Sequence, residues 1–351
     1  MPSDQSAPKS TLAPLAFIAA VVVVSAGAFA YTAGAFSPAR LTPVKLVDAL
    51  APPGGPALGR RRNHAKGICF TGQFQSNGGG AAFSRAQVFK AGQYPALGRF
   101  NLGTPDPNAP DSTVRVRGLG LQLATPDGQV WRTAMIDPPF FPVATPQAFY
   151  ALLGAGASKE PDAMKGFAGA HPEIAKFGEW AKTAPWMASY AADQFNGLNA
   201  FILVDGSGRE QPVRWSFVPA AAPEPIAPDE LAKRGPNYLE QEITTRVTAG
   251  EQRWKLVLTL AEPGDQTADP SQPWPAGRRA VDAGTLVVQR IEQEADGPCR
   301  DINFDPTILP DGLRVSNDPF PAARSAAYAR SYDLRTAEAK DYPRVPAGGQ
   351  K

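Results

Sequence analysis

The sequence predicts an α+β fold. A strand-rich body, either a barrel or a large sandwich, carries a helical insertion and ends on a helix. Three observations lead there. Short apolar runs bounded by glycine and proline recur from about residue 60 onward, the signature of many strands joined by turns. Residues 146–196 are alanine-rich with helix-like spacing, broken at Pro161, Pro172 and Pro185. Near the end, the proline-free run RSAAYARSYDLR (324–335) is built from good helix formers.

Taken in order, residues 1–11 form a polar tail. Leu12–Ala30 reads LAPLAFIAAVVVVSAGAFA without a charge, just long enough to span a bilayer and long for a signal sequence. We assign 12–34 to a transmembrane helix or signal anchor, with Ala28-Phe29-Ala30 as a possible cleavage site. Lys9 precedes the segment and Arg40 and Lys45 follow it, so flanking charge does not fix orientation. The reading is an exported body, tethered or cleaved; its rival is an anchored body facing the cytoplasm. Residues 35–57, rich in proline, glycine and alanine, read as a linker. The body, 58–340, holds the strand candidates GICFTGQF, AAFSRAQVF, VRGLGLQL, QVWRTAMI, AFILV, VRWSFV, RWKLVLTL and GTLVVQRI. A final helix at 321–335 precedes a polar tail, 341–351.

Composition excludes several classes. The 351 residues carry 35 basic and 33 acidic side chains, so no polyanion partner is implied and no nucleic-acid motif appears. Two histidines, His64 and His171, and two cysteines, Cys69 and Cys299, are too few for the usual zinc sites. Metal chemistry then requires a cofactor or oxygen ligands. In an exported protein the two cysteines either form a bridge across the barrel or remain separate buried thiols.

The C-terminal run holds the first chemical candidate. In a helix Arg324 and Tyr328 are i and i+4, and Arg335 returns to the same face two turns later. A neighbouring cation favours the anionic form of a phenol, and a phenolate is a hard ligand for ferric iron. The plainer alternative is a packed tyrosine beside two solvated arginines. In RRNHAKG (61–67), His64 stands beside arginines before a strand and is a candidate general acid–base group, or an ordinary strand-start residue. Arg99 in RFNLG and Arg117 in VRVRGLG lie beside apolar strands, where arginines bind carboxylates or simply pair at the surface. His171, in AHPEI, reads as a loop residue at a helix start.

In this order, spanning about residues 58–336, these pieces resemble the catalase superfamily. RRNHAKG is similar to its Arg-x-x-His-Ala-Lys-Gly motif, RFNLG to its Arg-Phe-Ser-Thr segment, and INFDPTILPDGL to its Phe-Asp-Pro…Pro-Pro-Gly signature. RSAAYARSYDLR resembles its Arg-x-x-x-Tyr…Arg helix. The resemblance implies a catalase-like antiparallel β-barrel with inserted and C-terminal helices around a buried haem b. It implies Tyr328 as iron ligand, Arg324 as the partner of that phenolate, and His64 as the acid–base residue. Arg61, Arg99 and Arg335 would then hold the haem propionates.

The departures carry information too. Catalases place an asparagine pair in the distal pocket, where this chain has MIDPPFF with Ile136 and Asp137; Asn101 replaces a serine or threonine. The chain also ends soon after the final helix. This pattern is similar to the short catalase-related peroxidases. It implies a haem peroxidase that reduces organic hydroperoxides, and hydrogen peroxide weakly, with an unnamed electron donor. The alternatives are a small true catalase, a hydroperoxide isomerase or lyase, and a haem carrier with little turnover.

Overall fold

The computed structural model describes residues 12–32, 37 and 40–344. The tail expected at 1–11, and residues 345–351 of the tail expected at 341–351, lie outside the described residues. The chain forms two compact units, Met1–Thr42 and Pro43–Lys351. In the first, α1 (Leu12–Thr32) contains a charge-free 19-residue stretch, Pro14–Thr32, long and apolar enough to cross a membrane.

The second unit opens with α2 (Pro43–Ala49), β1 (Gly67–Ser76), β2 (Gly92–Leu102), β3 (Arg117–Ala124) and β4 (Val130–Ile136). The helical insertion follows as α3 (Pro146–Ala157), α4 (Ala163–Ala170) and α5 (Ile174–Thr183). Next come β5 (Trp186–Met187), β6 (Phe195–Val204), β7 (Glu210–Pro219), β8 (Pro225–Ile226), α6 (Pro228–Lys233) and α7 (Tyr238–Ala249). The chain then forms β9 (Gln252–Leu260), β10 (Ala280–Glu292), β11 (Leu313–Val315) and α8 (Phe320–Ala337).

Eight strands run β6-β4-β3-β2-β1-β10-β9-β7, and β7 pairs back onto β6, closing an antiparallel barrel. Closure removes the exposed edges that an open sheet leaves. β11 adds to the free side of β6, and β5 pairs with β8. The α+β barrel expected from sequence is therefore found, and the sandwich alternative is not.

Period-two alternation sets what faces inward. Along β2, Tyr94, Ala96, Phe100 and Leu102 join the interior cluster. Phe100 lies 4.8 Å from Phe70, 5.2 Å from Tyr190 and 5.5 Å from Trp254, ring centre to ring centre. Each such side chain contributes about 1.5–3 kcal/mol by leaving water. The barrel is thus filled by its own side chains, and anything larger must bind outside its wall.

Two sequence expectations need correction. AAFSRAQVF is not a strand; it forms two short 3-10 turns, Gly79–Ala82 and Gln87–Phe89, which bury Val88 and Phe89 without the length to cross a sheet. The linker read at 35–57 contains α2, whose Leu46 and Val47 are buried against α8 and α3. The boundary between units falls at Thr42/Pro43 because that apolar pair needs a surface to cover it. The final helix runs two residues beyond its expected end, to Ala337. Helices α6 and α7 had no sequence expectation.

Candidate active site

One cavity of about 530 Å³ lies outside the barrel wall and is lined by Arg61, His64, Arg99, Arg324, Tyr328 and Arg335. The six residues singled out from sequence therefore meet in one place. Its walls come from the outer faces of β2–β4, the segment before β1, the loop after β10, and α8.

His64 is the only non-glycine residue with positive φ among the described residues (φ 54°). Its carbonyl accepts from Arg99 Nη1 at 2.8 Å, and the next residue's amide, Ala65 N, donates to Thr104 O at 2.8 Å. The left-handed conformation costs about 1–2 kcal/mol, and these bonds offset it. Nδ1–H of His64 donates to Asn101 Oδ1 at 2.6 Å, which leaves Nε2 unprotonated. Asn101 Nδ2 donates in turn to Arg99 O at 3.3 Å, fixing the amide's orientation. Burial above all, with Arg99, Arg324 and Arg61 adding to it, holds the imidazole pKa down at about 4; the Asn101 bond opposes the shift. At neutral pH His64 is an uncharged base.

Arg99 and Asn101 point out of the barrel because Phe100 between them points in. Both need neighbours without side chains. A Cβ on Gly67 would lie 2.6 Å from Arg99 Cζ, and one on Gly118 2.3 Å from Asn101 Oδ1.

Along one part of the cavity two guanidiniums pair with a single buried carboxylate, and a third, that of Arg335, binds carbonyls that neighbour those taken by Arg61. Glu294 takes Arg99 in a bidentate pair, both bonds 2.7 Å, and Arg61 at 3.4 Å. Arg61 also donates to the carbonyls of Cys299 and Ile302, at 3.0 and 3.1 Å, and Arg335 to those of Arg300 and Ile302, at 2.5 and 3.1 Å. Burial, with Arg99 and Arg335 adding to it, lowers the Arg61 pKa to about 9. Burial likewise lowers that of Arg335, and the arginines pull Glu294 below its usual range against the effect of its own burial. The surplus of buried positive charge calls for an anionic occupant. The carbonyls come from a segment fastened to β1 by the Cys69–Cys299 disulfide, Cα–Cα 5.4 Å, both residues fully buried. That settles the open question about the two cysteines in favour of the bridge.

On α8, Arg324 Nη2 donates to Tyr328 Oη at 3.1 Å and to Ala134 O at 2.7 Å. Its Nη1 donates to Asn199 Oδ1 at 2.7 Å, and Asn199 Nδ2 donates to Asp318 Oδ2 at 2.8 Å. The guanidinium is thus clamped by the barrel wall on one side and a buried amide–carboxylate pair on the other.

Ile136 lines the cavity, whereas Asp137 turns away. Its carboxylate accepts from Arg115 Nη1 at 3.0 Å and from Arg117 N at 2.8 Å. Burial, then the nearby Asp193, raises its pKa to about 7. Arg117 pairs with Asp193 at 2.8 Å, deep and away from the cavity lining. His171 is half-exposed, stacked on Phe167 and 3.4 Å from Glu173. Neither takes part in the site.

Sequence reasoning missed Glu294, Asn196, Asn199 and Asp318. Asn196 lines the cavity, but its Nδ2 donates to the carbonyls of Asp137 and Pro138. One signal was available: Asp318, six residues before Arg324, stands at the entry of the final helix, where its Oδ1 accepts from Phe320 N. Glu294 had none, since only the fold brings it 2.7 Å from Arg99.

The catalase family matches residues 21–347. A catalase-related peroxidase of Synechococcus elongatus is 33% identical over 307 residues, covering 86% of this chain and 91% of that protein. One from Mycolicibacterium paratuberculosis is 30% identical over 299 residues, covering 84% and 95%. Among solved structures, a bacterial catalase superposes with a TM-score of 0.70 at 20% identity, over 83% of this chain. The match spans 60% of that longer catalase, so it speaks to the fold alone.

Proposed function

Because the chain belongs to the catalase family, we propose that it is a haem b peroxidase. It reduces organic hydroperoxides with an external electron donor and dismutates hydrogen peroxide poorly. One observation carries the reading: His64 and Tyr328 line the same cavity, each oriented by its own hydrogen bond, beside a cluster of buried arginines.

The residues fit a haem. One buried carboxylate, Glu294, stands among Arg61, Arg99 and Arg335, and two propionates would balance the positive charge it leaves over through charge-assisted bonds. Tyr328, held by Arg324, offers an oxygen ligand to iron. When bound, haem supplies the iron at which a peroxide O–O bond is cleaved. His64 Nε2, neutral at pH 7, takes the proton from one peroxide oxygen and returns it to the other, so that the departing oxygen leaves as water or alcohol. Asn101 keeps Nε2 free for that transfer and holds the ring through it.

Dismutation of hydrogen peroxide requires ordering a second small polar molecule. Ile136 offers no donor, and the amide nitrogens of Asn196 and Asn199 are committed to protein acceptors. An apolar wall favours an alkyl group instead. The buried disulfide supports an extracytoplasmic location, and α1 supports a tether or signal at the N-terminus.

The test is the absorption spectrum and turnover of the haem-loaded full chain beside Tyr328→Phe. The wild type is expected to oxidise a reducing dye with an alkyl hydroperoxide faster than it releases dioxygen from hydrogen peroxide. The variant is expected to lose haem or change its ferric spectrum. An unchanged spectrum and stoichiometry in Tyr328→Phe would overturn the ligand assignment; dioxygen release matching dye oxidation would restore catalase as the main activity.

A further inference from the structure

Between β10 and β11 the chain runs through turns and irregular backbone from 293 to 312. Carbonyls in such a stretch are not held by a helix or a ladder, so where they point depends on what anchors the chain. Three of them, on Cys299, Arg300 and Ile302, accept from Arg61. Those of Arg300 and Ile302 accept from Arg335 as well. Backbone dipoles thus hold two like charges side by side, with Glu294 already shared between Arg61 and Arg99.

The stretch is tied to one rung of the barrel. Cys69 on β1 stands directly opposite Arg99 on β2. From that rung Arg99 reaches Glu294 and Cys69 reaches Cys299. Gly297 lies between the two ties, and a Cβ there would come within 2.6 Å of Cys69 Sγ. The two cysteines belong to a small cluster with Phe304, Leu97, Ala134 and Ile302, separate from the cluster that fills the barrel. Opening the bridge therefore leaves the interior packing in place and frees the carbonyls that aim the two arginines.

We propose that the Cys69–Cys299 bridge is a positioning element for the anionic groups of the cofactor, so that retention of haem follows the redox state of the chain. Oxidised, the bridge sets Arg61 and Arg335 to receive two carboxylates. Reduced, it leaves both guanidiniums to swing apart under their mutual repulsion, and only Arg99 stays fixed, on Glu294. The redox step balances as Cys69–S–S–Cys299 + R(SH)₂ → Cys69–SH + Cys299–SH + RS₂. The S–S bond breaks, and the dithiol gives up two electrons and two protons. The proposal rests on the haem reading above and adds to it a control on how the cofactor is held.

The experiment loads the full chain with haem or with haem dimethyl ester, in which both propionate charges are removed. Release to an excess of a haem-scavenging protein is timed by absorption. The chains compared are the oxidised wild type, the wild type reduced with dithiothreitol before loading, and the double variant Cys69→Ala/Cys299→Ala. The oxidised wild type is expected to hold haem at least about tenfold longer than the diester, the worth of roughly one charge-assisted bond. Without the bridge that ratio is expected to fall at least about fivefold, through faster release of haem, while release of the diester stays within about twofold. A bridge that only stabilises the fold would speed the release of both ligands alike, and that result overturns the proposal. So does a ratio that is unchanged without the bridge. Equal retention of haem and diester by the oxidised wild type would remove the propionate reading itself, and the proposal with it. Melting curves establish that each chain is folded; if the double alanine variant is not, Cys69→Ala with Cys299→Val refills the buried space and takes its place.

Discussion

On one face of β2, Phe100 packs among Phe70, Tyr190 and Trp254; one residue either side, on the other face, Arg99 grips Glu294 and Asn101 holds His64. Both faces are buried, but they are buried differently. The inner face is held by apolar contact, which is non-directional and tolerates exchange of one hydrophobic side chain for another. The outer face is held by directional bonds among groups that are costly to leave unpaired. The same strand therefore carries stability on one side and chemistry on the other, and the two sides should fail in different ways.

The largest expected separation comes from His64→Ala. General acid–base groups contribute typically 10²–10⁴-fold, so peroxide turnover should fall by about that factor while haem stoichiometry holds. Steady-state kinetics beside a haem titration measure both. In the wild type the acid limb of the rate profile should lie near pH 4, where burial puts the imidazole. A limb at the ordinary histidine value, or a variant that retains its rate, would remove His64 from the mechanism.

Phe100→Ala reverses the pattern. Emptying a site in the barrel interior costs about 3–5 kcal/mol, which should appear as a lower denaturant midpoint. The haem spectrum of the folded variant should be unchanged, because the ring faces away from the cavity. A changed spectrum with unchanged stability would mean that the two faces are not separable.

The smallest effect concerns pH and Asp137, on the short segment between barrel and site. Its pKa is about 7 when folded and close to 3.8 when unfolded, so its contribution to stability is fully present below about pH 3.8. That contribution is lost as pH rises through about 7. His64 has the opposite sign: its pKa is about 4 when folded and about 6.5 when unfolded. Its contribution is present above about 6.5 and lost as pH falls through about 4. The two trends oppose each other in the same window. Relative to wild type, Asp137→Asn should therefore gain stability as pH rises from about 4 to about 7, read from melting curves at each pH. A constant difference would show that Asp137 does not titrate there.

The inner face was legible in sequence because apolar alternation is a local pattern. Most of the strand runs, the broken helices at 146–183 and the last helix follow from it. The segment AAFSRAQVF misled because Val88 and Phe89 are buried from a turn, where apolarity carries no strand geometry. α2 was hidden by proline and glycine around it: Leu46 and Val47 are a pair too short to show a period. On the outer face, the motif residues from Arg61 to Arg335 could be picked out through the family resemblance. Glu294 and Asn199 could not, since their meaning depends on partners 195 and 125 residues away. The exchange of a hydroxyl for Asn101 was visible as a departure, but its consequence, an amide accepting from His64, required the register that sets Asn101 opposite Gly67 and Gly118.

The way β1 is placed has a consequence for the making of the molecule. It pairs with β2, its neighbour in sequence, and with β10, more than two hundred residues later. Cys69 and Cys299 are separated by 230 residues. At about 5–20 residues per second of synthesis, one edge of β1 and one thiol wait roughly 10–50 s for their partners to exist. An unpaired edge is a template for wrong pairing, so the emerging chain needs shielding from its neighbours during that interval. His64 and Asn63 come from one end of the body, Arg324, Tyr328 and Arg335 from the other. The cavity can be completed only when the last helix arrives, which makes acquisition of its occupant one of the final events in the protein's biogenesis.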